Sequence, residues 1–129
     1  MSTIFSKIVS GEIPSYKVAE SENHLAFLDI QPLRKGHVLV IPKKETDNIF
    51  DIEDTEIGEL MIFAKLVAKK IERSFACRKV GVAVVGLEVA HAHIHLIPID
   101  NVSDMNFNQE KMVLSHEELV GIAERLQQA

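Results

Sequence analysis

A chain of 129 residues with 47% hydrophobic content fits one globular domain with a single core. Its formal net charge of −5 argues against a surface that attracts nucleic acid as a whole, while leaving room for a local pocket that holds a phosphate. Cys77 is the only cysteine, which excludes an intramolecular disulfide and a cysteine-built zinc centre and fits a reducing, cytoplasmic compartment.

The opening MSTIFSKIVSGEIP lacks the continuous apolar core of a signal peptide, and nowhere do about 18 apolar residues run together as a membrane span requires. A soluble, unprocessed chain with no membrane partner is expected. Ile4, Phe5, Ile8 and Val9 fall on one side of a helical wheel, with Ser2 or Thr3 as cap and Gly11 placed to end a short helix. From Tyr16 to Pro42 the text reads as three strands, YKVAE, HLAFLDI and GHVLVIP, separated by turn-like SEN and QPLRKG. Connections this short favour antiparallel neighbours.

The longest predicted element is a helix over DTEIGELMIFAKLVAKKIERSF. Ile57, Leu60, Met61, Ala64, Val67, Ala68, Ile71 and Phe75 keep to one helical face. Asp54, Glu56 and Glu59 lie early and Lys69, Lys70 and Arg73 late, which matches the helix dipole. KVGVAVV and VAHAHIHLIPI follow as two further antiparallel strands joined through GLE. A polar stretch, DNVSDMNFNQEK, then leads to a last helix with Ser115 as cap and Glu118 completing a capping box. No internal repeat or low-complexity segment interrupts this order. Runs of strands with few helices predict an α+β domain: a five-stranded antiparallel sheet with helices packed on one side, and a loop and helix over about residues 100–129.

Within the last strand, HAHIHLIP places His91, His93 and His95 at every second position, so in an extended segment they share one face. Ala90, Ala92, Ile94 and Leu96 form the other face and suit burial against the long helix. A plain polar surface would ordinarily carry Thr, Lys and Glu, so three aligned imidazoles ask for a chemical reason. One candidate is metal binding, with a further ligand from His37, Asp29 or Glu88. Geometry weighs against it, because His91 and His95 lie about 13 Å apart at ~3.3 Å per residue. The other is nucleophilic attack on phosphorus, in which the central imidazole forms a covalent intermediate and its neighbours hold phosphate oxygens.

HAHIHLI resembles the alternating signature of the histidine triad family of nucleotide hydrolases and transferases. IFSKIVSGEIP, HLAFLDIQP and GHVLVIPKKE resemble, in the same order and at similar spacing, its branch of purine-nucleotide-binding phosphoramidases. The likeness covers about residues 3 to 98. It implies a single domain over residues 1–129, with two subunits joining five-stranded sheets across a homodimer. It further implies a purine nucleotide substrate, no required cofactor, and cleavage at the α-phosphate of nucleoside phosphoramidates or dinucleoside polyphosphates.

By that resemblance His93 is the nucleophile, His95 and His37 contact phosphate oxygens, and His91 orients the nucleophile's side of the triad. Asp29 is the acid that accepts hydrogen bonds from both ribose hydroxyls, as a carboxylate suits a vicinal diol. Ile4, Phe5, Ile8, Phe27, Ile30 and Leu39 match the apolar wall around the base, although plain core is the default reading of such residues.

Two segments depart from the family pattern. VAVVGLEVAH is shorter than the usual Gly-Gln-Ser approach to the histidines and carries Leu87 and Glu88, so Glu88 is expected near the phosphates, retaining a proton and acting as general acid. The tail is a loop and helix in place of a strand that reaches the partner's site. A histidine at position 95, where the uridylyltransferase branch has glutamine, favours transfer to water. The rival expectation from another class is a nucleotide-binding or sensing module with weak catalysis.

Overall fold

The computed structural model describes residues 3–129; the alternative cap Ser2 lies outside them. Helix α1 (Ile4–Ser10) precedes strands β1 (Lys17–Glu20), β2 (His24–Leu28) and β3 (Val38–Pro42); helix α2 (Asp54–Ser74) separates these from β4 (Lys79–Ala83) and β5 (Ile94–Ile99), and helix α3 (His116–Gln128) follows. The five strands form one sheet in the order β1-β2-β3-β5-β4, and every neighbouring pair is antiparallel. Short 3-10 turns at Ile49–Asp51 and Val102–Met105 have no counterpart in the predicted elements.

Helices cover both faces of this sheet, not one side as expected. Val38 and Val40 of β3 and Ile94 and Leu96 of β5 join Leu60, Ala64, Val67 and Ile71 of α2 and Leu119, Ala123 and Leu126 of α3 in the larger core. The alternate positions Leu25, Phe27, Leu39 and Ile41 pack against Phe5 and Ile8 of α1. With both faces covered, β2 and β3 read as continuous apolar runs, whereas a half-solvated strand would alternate. Burial of α1 follows from its own stripe, because a short helix with Phe5 and Ile8 on one side needs an apolar partner and the α2 side is already filled.

Thr3 caps α1 through a capping box with Ser6, and Gly11 closes it at φ 88, a left-handed conformation open to glycine. Ser115 and Glu118 form the capping box of α3. The buried stripe of α2 is Leu60, Phe63, Ala64, Val67, Ile71 and Ser74. Met61, expected on that face, is 48% exposed and Phe63 takes its place, because positions 60, 63, 64, 67 and 71 keep the tighter helical register. His24 stacks on Phe63, and His116 meets the Tyr16 hydroxyl at 2.6 Å, tying α3 to β1. Among the described residues no helix is long and apolar enough to cross a membrane.

The pair β4 and β5 is antiparallel as expected, with Ala83 opposite His95. The connection, however, runs from residue 84 to residue 93, far longer than GLE, and takes Gly86 through φ 71. Val84 and Val85 leave the sheet instead of extending β4, and Ala90 is exposed although it was expected on the buried face. Strand β5 is thus shorter than the run of β-branched and alternating residues suggests. The first two triad histidines precede it, His91 at the end of a bend, and the Ala92 N–H between them donates to the Thr46 carbonyl at 2.7 Å.

Candidate active site

Leu39 lies between Phe27 and His95 across the sheet, so these three side chains form a row on the α1 face. His37, two residues before Leu39 on the same chain direction, shares that face. All four of His37, His91, His93 and His95 are buried, so the triad faces away from the large core as expected but is not a solvated surface. Phe5 of α1 lies over it, edge-on to His93 with ring centroids 5.0 Å apart.

Hydrogen bonds fix the tautomer of each ring. His93 Nδ1 lies 2.8 Å from the His91 carbonyl oxygen, which accepts only, so Nδ1 carries a proton and the lone pair of the neutral tautomer is on Nε2. His91 Nε2 donates to the Pro42 carbonyl at 2.8 Å, leaving His91 Nδ1 to accept from the Thr3 hydroxyl at 3.4 Å. The residue that caps α1 therefore also steadies the histidine whose carbonyl holds His93. Glu45 joins this cluster by accepting from the Thr3 N–H at 3.2 Å.

A second chain of donors runs through His37. Its Nδ1 accepts from the Leu33 N–H at 3.1 Å, so its Nε2 carries the proton and donates to His95 Nδ1 at 2.9 Å. That leaves His95 Nε2–H as the free donor. Burial pushes His37 down to about 3 and His95 down to about 4, with the neighbouring imidazole lowering each further. Burial also lowers His91. His37, expected to contact phosphate, has both ring nitrogens engaged inside the chain, and its Nε2–H holds His95.

These rings open onto a cavity of about 550 Å³, within the size range of small-molecule sites. Ile4, Phe5, Ile8, Phe27, Ile30 and Leu39, the six apolar residues singled out by resemblance, all line it, together with Asp29, Glu88, His37, His93 and His95. His91 lies behind, touching the site through its carbonyl. Asp29 accepts the Gln31 N–H at 2.9 Å through one carboxylate oxygen and places the other 3.6 Å from His37 Nε2. Burial raises its pKa against the lowering effect of that backbone bond. Glu88 is exposed and lines the rim of the cavity.

Asp29, His37 and His95 bring ligand-type atoms within 4.8 Å of one another, the arrangement a metal reading would need. The tautomers oppose it. A cation on His37 Nε2 requires the proton to move to Nδ1, where it would meet the Leu33 N–H head-on. The donor set therefore suits a hydrogen-bonded relay better than a metal centre.

Phe107, Asn108 and Lys111 also line the cavity, and nothing in the polar stretch that carries them marked them as site residues. Phe107 lies edge-on to His95 with centroids 4.9 Å apart. A lone aromatic in DNVSDMNFNQEK was the available signal. Ser15 lines the cavity too, and its Oγ is the one buried side-chain polar atom without a hydrogen-bond partner among the described residues.

Residues 10–102 match the family model described as the HIT domain. An adenosine 5'-monophosphoramidase of Saccharomyces cerevisiae is 42% identical over 97 residues, covering 74% of this chain and 61% of that protein. The chain thus spans less than two thirds of that relative's length. Among solved structures, a HIT-like protein of Bartonella henselae is 28% identical with a TM-score of 0.86, covering 98% of this chain and 95% of that one. A zinc-bound histidine triad family protein of Mycobacterium smegmatis is 28% identical with a TM-score of 0.81, covering 99% and 95%.

Proposed function

Because this chain belongs to the HIT domain family, we propose that it is a nucleotide hydrolase that cleaves at the α-phosphate through a covalent nucleotidyl-His93 intermediate. The observation that carries the reading is the 2.8 Å bond from His93 Nδ1 to the His91 carbonyl, which assigns the lone pair of the neutral ring to Nε2, in a side chain that lines the cavity. An imidazole so held is a nucleophile whose lone pair needs no prior proton loss.

In the first step the Nε2 lone pair forms a bond to the α-phosphorus. The bond to the leaving group breaks, and the departing oxygen keeps the electron pair while a departing nitrogen takes the pair together with a proton from solvent. In the second step water attacks phosphorus and gives a proton to solvent, the N–P bond returns its electrons to Nε2, and a nucleoside monophosphate leaves. His95 Nε2–H faces a phosphate oxygen and stabilises the charge that develops there, while His37 keeps His95 in the donating tautomer. The purine base lies against Ile4, Phe5, Ile8, Phe27, Ile30 and Leu39, and Asp29 accepts from the ribose hydroxyls. Glu88 stands at the leaving-group rim. Nucleoside phosphoramidates and dinucleoside polyphosphates are the substrate classes.

A second copy of the chain completes the assembly in this reading. Edge strand β4 is unpaired on its outer side and bears exposed Val82, while Met61, Ile62 and Leu66 of α2 are likewise exposed. An uncovered strand edge with apolar neighbours favours pairing with an identical edge.

The test is a panel of nucleoside phosphoramidates and dinucleoside polyphosphates, assayed with wild type beside His93→Ala. Turnover lowered at least about a thousandfold by the substitution supports the enzyme. Tight nucleotide binding without turnover by wild type would replace it with a binding or sensing module.

A further inference from the structure

The loop between β5 and α3 folds back onto the site and is anchored there by several independent contacts. The Asp104 carboxylate accepts the Asp100 and Asn101 N–H groups at 2.8 and 2.9 Å, and Arg34 Nη1 meets it at 2.6 Å. The Met112 N–H donates to the Pro32 carbonyl at 2.9 Å, three residues from Asp29. Phe107 rests against His95. The loop is therefore a wall of the cavity and not a solvated tail.

Lys111 is carried on that wall. Its Nζ donates to the Phe107 carbonyl at 2.6 Å and to the Gln109 carbonyl at 3.4 Å. An ammonium has three protons, so one donor remains for the cavity. Among the described residues, Lys111 is the one lysine or arginine lining it. It shares that cavity with Asp29, His37, His93 and His95, and its charge acts to lower the pKa of both Asp29 and His37. His37 and His95 are held neutral by burial and supply dipoles in place of net charge.

Resting on the hydrolase reading above, we infer that Lys111 selects substrates whose leaving group is anionic, so that nucleoside 5'-phosphoanhydrides are preferred over phosphoramidates. When His93 Nε2 bonds to the α-phosphorus of an anhydride, the bridging P–O bond breaks and its electrons stay on the departing phosphate oxygen. The negative charge on that oxygen grows toward the transition state, and an ammonium lining the same cavity stabilises the transition state more than the ground state. The lysine keeps its proton throughout. An amine leaving group takes up a proton from solvent as the P–N bond breaks, so it departs neutral, develops no such charge and gains nothing from a neighbouring cation.

The experiment compares kcat/KM on diadenosine tetraphosphate and on adenosine 5'-phosphoramidate for wild type, Lys111→Gln and Lys111→Arg. Glutamine retains a donor for the Phe107 carbonyl and removes the charge; arginine retains the charge. The expected result is that the ratio of anhydride to phosphoramidate kcat/KM falls about 10- to 100-fold in Lys111→Gln and recovers in Lys111→Arg. A ratio unchanged in Lys111→Gln, even with both rates lowered, overturns the inference and leaves Lys111 as loop packing. If wild type turns over neither substrate, the hydrolase reading fails separately, and equilibrium binding decides the role of Lys111. Tighter binding of adenosine diphosphate than of the monophosphate, lost in Lys111→Gln, supports it; equal affinities in wild type overturn it.

Discussion

Lowering the pH from about 7.5 to about 5 should destabilise this protein through His37 and His95. Both rings are buried, at 2% and 8% exposure, and both titrate in the folded state well below their ordinary value of 6.5. For a base whose folded pKa is depressed, the unfolded chain takes up protons first as the pH falls, so stability is fully present above 6.5 and drains away below it. At about pH 5 the unfolded ring is 1.5 pH units under its own pKa while the folded ring is still neutral. The loss per ring is then about 2 kcal/mol, or about 4 kcal/mol for the pair. Both folded values lie below 5, so each ring contributes in full. His24 and His91, also lowered by burial, act in the same direction.

Urea unfolding of wild type and His95→Gln at the two pH values isolates one ring. Glutamine can accept from His37 Nε2–H through its carbonyl oxygen and does not titrate, so the variant should lose about half of the pair's sensitivity, near 2 kcal/mol. A difference between the two proteins that stays under about 0.5 kcal/mol from pH 7.5 to 5 would refute the neutral, hydrogen-bonded relay.

Thr3→Val keeps the shape of the residue but removes the cap of α1 and the hydroxyl that meets His91 Nδ1. It should cost about 1 kcal/mol in thermal or urea unfolding and lower kcat several-fold with little change in KM, because it loosens His91 without touching the base wall. Gly36 holds φ 94 with room for a Cβ only 3.0 Å from the Phe75 ring, so Gly36→Ala should destabilise by about 2 kcal/mol in the same assay. Glu88→Gln should change turnover of a nucleoside phosphoramidate by less than about threefold, as its exposed rim position indicates; a large loss with an altered pH profile would support the general-acid role instead.

How far this architecture is legible from sequence depends on whether local pattern or remote contact decides each element. The stripe of α2 and the caps at Thr3 and Ser115 are written within a few residues, and they fold as read except where Phe63 displaces Met61. The face shared by the histidines follows from a period of two. Their burial does not, because it comes from α1 and from the loop carrying Phe107, both distant in the chain. Val84 and Val85 have strand character, yet Gly86 turns the chain away to line the cavity. The task of His37 was illegible for a different reason. Whether it touches phosphate or holds His95 is set by one backbone amide, that of Leu33, and residue type alone does not specify a tautomer. Lys111 reaches the site only because Arg34, Asp104 and Pro32 dock its loop.

The most direct measurement is intact-mass analysis of the protein mixed with a nucleoside phosphoramidate and quenched into alkali during turnover, where a phosphorus–nitrogen bond to histidine survives. The expected result is a transient mass gain of one nucleoside monophosphate unit, mapped by peptide sequencing to His93 and absent from His93→Ala. Product accumulating at the wild-type rate with no adduct at any time point, or an adduct mapped to another residue, would contradict nucleophilic attack by the middle histidine.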